Sequence, residues 1–151
     1  MNFQIKLAIS LDYLYGKNVS KFLPTKNLIF NISSKTEKIK SVYFNNKSFV
    51  SFRSDGNIIL SLYAATFFIK SKEFRENCIT VTDDAATFVK AGKSVFAKHV
   101  IKCGNNIHPG SEVIVINTMN KVIAIGKAIL SKKMIKDFKS GVAVKIRNGV
   151  N

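Results

Sequence analysis

Apolar residues recur with a helical period at the start of the chain. Phe3, Leu7, Leu11 and Leu14 fall on one face, and Gly16 follows as a stop, which predicts a helix over residues 3–15. Pro24 then interrupts the pattern. Short runs follow at residues 28–32, 38–44, 48–53 and 58–60, each short enough and apolar enough to be a strand. Between them lie "NNK" (45–47) and "SDGN" (54–57), whose residues tolerate positive φ and predict turns. "LYAATFFIK" predicts a buried helix. The charged stretch "KSKEFREN" (70–77) marks the expected domain boundary, with one domain over residues 1–76 and a second over 77–151.

The second half predicts a strand at 79–81 and then a helix. Asp83 and Asp84 suit that helix's first turn, and Gly92 ends it. Strands are expected at 95–103, 112–117 and 122–130. A short lysine-rich helix, "KKMIKDF", follows Ser131 as its cap, is stopped by Gly141, and leads to a last strand at 142–147. The order is β-α-β-β-β-α-β. Short strands dominating so small a unit predict a closed or half-closed barrel, and the fold class is α+β.

Charge sharpens this picture. Twenty-four Lys and Arg face nine Asp and Glu, for a net charge of +15. Residues 1–76 carry twelve basic and five acidic groups, and residues 77–151 carry twelve and four, so the excess is no basic tail. Such a field attracts polyanions, nucleic acid first and an anionic membrane second, although charge alone names no partner. The longest apolar run, residues 58–69, has twelve residues where a membrane span needs about twenty. Asp12 cuts short any signal-peptide run. With two cysteines, Cys78 and Cys103, the expectation is a cytoplasmic protein with reduced thiols and no membrane partner.

Three chemistries can be tested on the residues. "AGKS" (91–94) resembles the end of a P-loop, but the first glycine of that motif would fall on Thr87. A helix also precedes the lysine where the motif requires one to follow. His99, Cys103 and His108 are close in sequence but lack paired zinc spacing, so no metal is expected. Asp55, Asp83, Asp84 and Glu112 each have a structural explanation, and no catalytic set can be assembled. Neither enzyme activity nor a cofactor is expected.

The lysines offer another reading. In "SVFAKHVIK" strand alternation puts Phe96, Lys98, Val100 and Lys102 on one face and Val95, Ala97, His99 and Ile101 on the other. In the last strand Val142, Val144 and Ile146 oppose Ala143, Lys145 and Arg147. Basic groups beside an exposed aromatic fit a phosphate backbone and a stacked base. A core Phe96 with ordinary solvated lysines fits the pattern equally well.

A resemblance tips that balance. The helix ending in Gly92 before "VFAKHV", then "HPGSEVIVIN", "VIAIGKAILS" and "GVAVKIR", resemble a PUA domain, a small RNA-binding pseudo-barrel, over residues 78–149. In the first half "SSKTEKI" and "RSDGNIILSLYAA" resemble the domain that precedes PUA in archaeosine tRNA-guanine transglycosylases. Nothing corresponds to the catalytic barrel of those enzymes. The resemblance implies an RNA surface at Lys90, Gly92, Lys93, Ser94, Val95, Phe96, Ala97 and Lys98, joined by Lys145 and Arg147. It implies RNA, most of all the acceptor stem and CCA end of tRNA, as partner. It also implies a role as accessory module or split subunit beside a catalytic transglycosylase. A free-standing ribosome- or translation-associated RNA-binding factor is the alternative.

Overall fold

The computed structural model describes residues 2–151, and no helix among them is long and apolar enough to cross a membrane. The chain divides into two compact units, the first reaching Glu73 and the second running Phe74–Asn151. The charged stretch 70–77 is folded, with Ser71, Phe74 and Asn77 buried within it and Phe74–Asn77 forming a 3-10 turn. The Asn77 side chain donates to the Phe74 carbonyl, which satisfies a buried amide.

The first unit is a four-stranded antiparallel meander with two helices packed on it. Helix α1 (Phe3–Tyr15) begins where the Asn2 side chain accepts from the Gln4 and Ile5 amides. It buries Leu7, Leu11 and Tyr15 and ends at Gly16. The Tyr15 hydroxyl donates to the Ile58 carbonyl, and the Asp12 carboxylate accepts from the Ser20 amide and hydroxyl. Strands β1 (Leu28–Ile32), β2 (Ile39–Phe44), β3 (Lys47–Phe52) and β4 (Ile58–Leu60) pair in sequence order. Asn45 and Asn46 take φ of 49° and 63°, the handedness that a two-residue hairpin turn needs. Helix α2 (Leu62–Phe68), capped by the Ser61 hydroxyl, brings Tyr63 and Phe67 against Phe44 and Phe49. All ring pairs in that cluster lie between 5.2 and 6.0 Å, within range for favourable aromatic contact.

The second unit is a curled six-stranded sheet. Its elements are β5 (Cys78–Val81), α3 (Asp83–Lys90), β6 (Val95–Phe96), β7 (Val100–Cys103), β8 (Glu112–Ile116), β9 (Val122–Ala128), α4 (Lys132–Phe138) and β10 (Val142–Gly149). The spatial order is β6-β10-β9-β8-β5-β7, with β5 and β8 parallel and all other pairs antiparallel. The interior is small and β-branched: Ile79, Val81, Val113, Val115, Ile123 and Val144 meet Ala86 and Val89 of α3 and Ile135 of α4. Thr82 caps α3 with Asp83 and Asp84 in its first turn, and Ser131 caps α4.

The expected single strand over 95–103 is broken. Ala97–His99 form a 3-10 turn, and the pieces on either side pair with opposite edges of the sheet, β6 with β10 and β7 with β5. Alternation therefore fails after the turn: Val100 is half-buried and Ile101 exposed, the reverse of the faces expected for those two residues. The last strand also departs from strict alternation. Ala143 and Val144 are both buried because the pairing shifts between Val142 and Val144. Helix α4 stops at Lys139, which takes the left-handed conformation at φ 51°, two residues before Gly141.

The end of β10 lies hard against α3. A Cβ placed on Gly149 would come 2.0 Å from the Lys90 carbonyl oxygen, which accepts from the Asn151 amide. Gly149→Ala should therefore destabilise the second unit by about 1–3 kcal/mol, the usual cost of overpacking, read as a lower urea midpoint. An unchanged midpoint would show that the contact yields.

Candidate nucleic-acid interface

The C-terminus of α3, the loop behind it and β6 enclose a concavity of about 290 Å3. Its walls are Ala85, Phe88 and Val89 from α3, Lys93 and Ser94 from the loop, and Phe96 and His99 from the crossing segment. The two phenylalanines are 64% and 44% exposed, which decides the question that alternation left open: Phe96 is outside the core. Two aromatic faces open to solvent beside a cation form a platform on which a flat ring can stack.

Backbone geometry builds the loop. The amides of Ala91 and Lys93 both donate to the Phe88 carbonyl, and Gly92 donates to Val89. Closing the helix this way requires φ of 93° at Gly92, a conformation that suits glycine alone. A Cβ at Gly92 would meet nothing within 4 Å, so the space in front of it is open.

The ten residues expected at the interface divide into four groups. Gly92, Lys93, Phe96, Lys98 and Lys145 are exposed, while Lys90 and Ser94 are partly covered. Val95 and Ala97 are 1% and 4% exposed and belong to the core, so only their backbone can meet a ligand. Arg147 is exposed but held by both oxygens of Glu112, at 2.7 and 2.9 Å, a bidentate pair that engages its guanidinium along the sheet surface. The residue-by-residue reading missed Phe88 and His99. Phe88 sits in a helix whose apolar face looks like core, but it falls one step beyond the buried Ala85–Ala86–Val89 set. His99 joins the wall only because the strand breaks at Ala97.

The two signatures of the first unit also converge. Ser33, Thr36 and Lys38 of "SSKTEKI" and Arg53, Ser54 and Gly56 of "RSDG" line one concavity of about 460 Å3 with Lys6 and Lys40. Asp55 is occupied by the Asn57 amide and by Arg53 at 3.5 Å.

The cysteines stand apart from both surfaces. Burial pushes the Cys78 thiol up to about 12, with Arg75 acting against the shift and Glu76 adding to it. Burial pushes Cys103 up to about 11, with Lys132 opposing. Among the described residues no three His, Cys, Asp or Glu side chains cluster to hold a metal.

Residues 77–150 match the PUA domain family, and residues 6–74 match the patch-forming domain C2 of tRNA-guanine transglycosylase. The tRNA-guanine(15) transglycosylase of Methanosphaera stadtmanae is 42% identical over 140 residues, which is 90% of this chain and 21% of that protein. The same enzyme of Methanobrevibacter smithii is 35% identical over 146 residues, 96% of this chain and 22% of that protein. The chain thus spans about a fifth of the length of these curated relatives. Among solved structures, a hypothetical protein of Pyrococcus horikoshii superposes with a TM-score of 0.74 at 22% identity, covering 98% of this chain and 90% of that one. A conserved PUA domain protein of Thermoplasma acidophilum superposes at 0.64 and 18% identity, covering 94% and 89%. At these identities the two structures show a shared fold.

The thiols generate a prediction. A buried thiol keeps its proton in the folded chain after the unfolded chain, near 9.0, has lost it. Its stabilisation is complete below that pH and is lost as pH rises toward the folded value of about 12. The thermal midpoint should therefore fall more steeply between pH 8.5 and 10.5 in the unchanged protein than in Cys78→Ala. Parallel decline of the two would refute it.

Proposed function

We propose that this chain, which joins a PUA domain to a transglycosylase-type C2 domain, is a cytoplasmic RNA-binding protein. In this reading it takes a single-stranded RNA end into the concavity between α3 and β6. The observation that carries the reading is the pair of exposed phenylalanines, Phe88 and Phe96, facing one opening beside Lys93. A base enters and stacks. Its phosphates meet Lys93 and Lys98, and the backbone comes close where Gly92 presents no side chain. The surface offers donors and stacking faces, and the role proposed for it is binding.

The RNA we assign is tRNA, at its acceptor stem and CCA end. The relatives that match over most of this chain act on tRNA by name, and the chain corresponds to only a fifth of each. The chain then serves as an accessory module or split subunit of an archaeosine-forming transglycosylase. An apolar stripe supports a protein partner: Ile5, Ile9 and Tyr13 lie four residues apart along α1 and are 56%, 65% and 88% exposed. Ile9→Glu with Tyr13→Glu should abolish co-elution with a transglycosylase catalytic domain and leave RNA affinity unchanged. Co-elution that survives the change would remove the stripe from this role.

A free-standing ribosome- or translation-associated factor is the second reading. It is compatible with the Pyrococcus horikoshii structure, where a fold of this kind covers 90% of that chain, a likeness of fold alone.

Binding to deacylated tRNA, with and without its CCA end, tests these readings. Trimming should weaken binding, and Phe96→Ala and Phe88→Ala should each lose about 1–3 kcal/mol, roughly 5- to 150-fold, on the intact RNA. With about five phosphates neutralised, log K should fall with log salt at a slope of about −3.5 to −4.5. Lys145→Ala should weaken binding at unchanged stability. Arg147→Ala should lower stability, since it strands Glu112. Equal affinity for trimmed and whole tRNA would turn the assignment to ribosomal RNA. Unaltered affinity in both phenylalanine variants would discard the concavity.

A further inference from the structure

A second concavity lies on the other side of the crossing segment, between it and α4, with a volume of about 550 Å3. Lys98, Lys132, Lys136 and Lys139 rim it, and Val100, Ile101 and Ile135 form part of its floor. No carboxylate is among its lining residues. Among the described residues Lys98, Lys136 and Lys139 have no ion-pair partner, and Lys132 reaches only the amide oxygen of Asn105, whose own amide is held by Glu76.

Local structure explains these cations only in part. The helix dipole favours Lys136 in the last turn of α4. The same dipole disfavours Lys132, at the first helical position, where α4 carries no acidic residue. Lys98 comes from a different element altogether. A lysine placed against a local preference, with cations converging from two elements on one hollow, marks a constraint other than folding. Gathering like charges over an apolar floor costs stability, and an anion between them offsets the cost.

We infer that this groove is a second RNA track, which holds phosphodiester groups of the strand after it leaves the α3–β6 concavity. The inference rests on the RNA-binding reading given above. The two hollows share one turn: Phe96 and His99 face the first, while Ala97 and Lys98 face the second. Lys98 is thus the point where a bound strand passes from one to the other. The groove has no aromatic in its lining, so it reads backbone charge and not base identity. It lengthens the footprint beyond the terminal bases.

The test compares the tetranucleotide ACCA with whole deacylated tRNA, using Lys136→Glu with Lys139→Glu. Both side chains are exposed, and circular dichroism is the check that the variant is folded; Lys136→Ala with Lys139→Ala is the milder second pair. The variant should bind the tetranucleotide within about twofold of the unchanged chain. It should bind tRNA at least about tenfold more weakly, with a salt slope shallower by about 1.4–1.8, since each of the two phosphate contacts contributes about 0.7–0.9. Lys17→Glu with Lys121→Glu, both exposed and outside the groove, is the charge-matched control. Unchanged tRNA affinity, or an equal loss in the control, overturns the track. Loss of binding to phosphatidylglycerol vesicles with tRNA affinity intact would assign the groove to a membrane and overturn it too. Should the unchanged chain bind tRNA but not the tetranucleotide, the concavity reading fails, and the track stands if tRNA binding is lost in the variant. No binding of either RNA overturns both.

Discussion

The second unit depends on one crossing. A six-stranded sheet has two edges, each with a row of unpaired amides and carbonyls. Here the chain leaves one edge at Phe96 and reaches the other at Val100, with only the turn Ala97–His99 between them. The Ala97 amide donates to the Gly141 carbonyl on the β10 side, and the His99 carbonyl accepts from Thr82 on the β5 side. A three-residue turn cannot bridge the edges of a flat sheet, so the sheet must curl until they meet. That curl makes the interior, and it fills with small and β-branched side chains because little room remains.

The same crossing places the candidate chemistry. Val95 and Ala97 point inward, which leaves Phe96 and Lys98 outward on a segment stretched between two helices. The hollow toward α3 gains aromatic faces, and the hollow toward α4 gains lysines. One turn thereby separates a surface suited to a ring from one suited to a charge. Gly92 on one side and Gly149 on the other keep the surroundings close: the first permits the loop's turn, and the second lets β10 touch the end of α3.

Electrostatics follow from how few carboxylates there are and where they act. Asp12 holds the turn after α1, Asp83 accepts from Thr118, Glu76 holds Asn105, and Glu112 holds Arg147. Acids engaged in structure do not neutralise the lysine-lined surfaces, and a net charge of +15 is left to act outward. Arg147 shows the converse. A basic residue on the expected face is paired with one well-placed carboxylate, which neither its strand position nor its charge reveals.

Local rules made much of this protein legible in its sequence. Helix α1 and strands β1 and β4 fall where periodicity puts them, as do the capped start of α4 and the asparagine and glycine turns, because each depends on neighbours within a few residues. The exposed glycine loop and its lysine were legible for the same reason. The tertiary structure alone decided the break in the strand at Ala97, the exposure of Phe96, the recruitment of Phe88 and His99, and the capture of Arg147 by Glu112. It also decided that Lys98, two lysines of α4 and Lys139 at its end, far from Lys98 in the chain, share one groove. The physical reason is that alternation reports which face a residue takes on a strand, while closure of the sheet determines what that face meets. Closure is a long-range condition, set by pairing between strands tens of residues apart, and no window along the chain contains it.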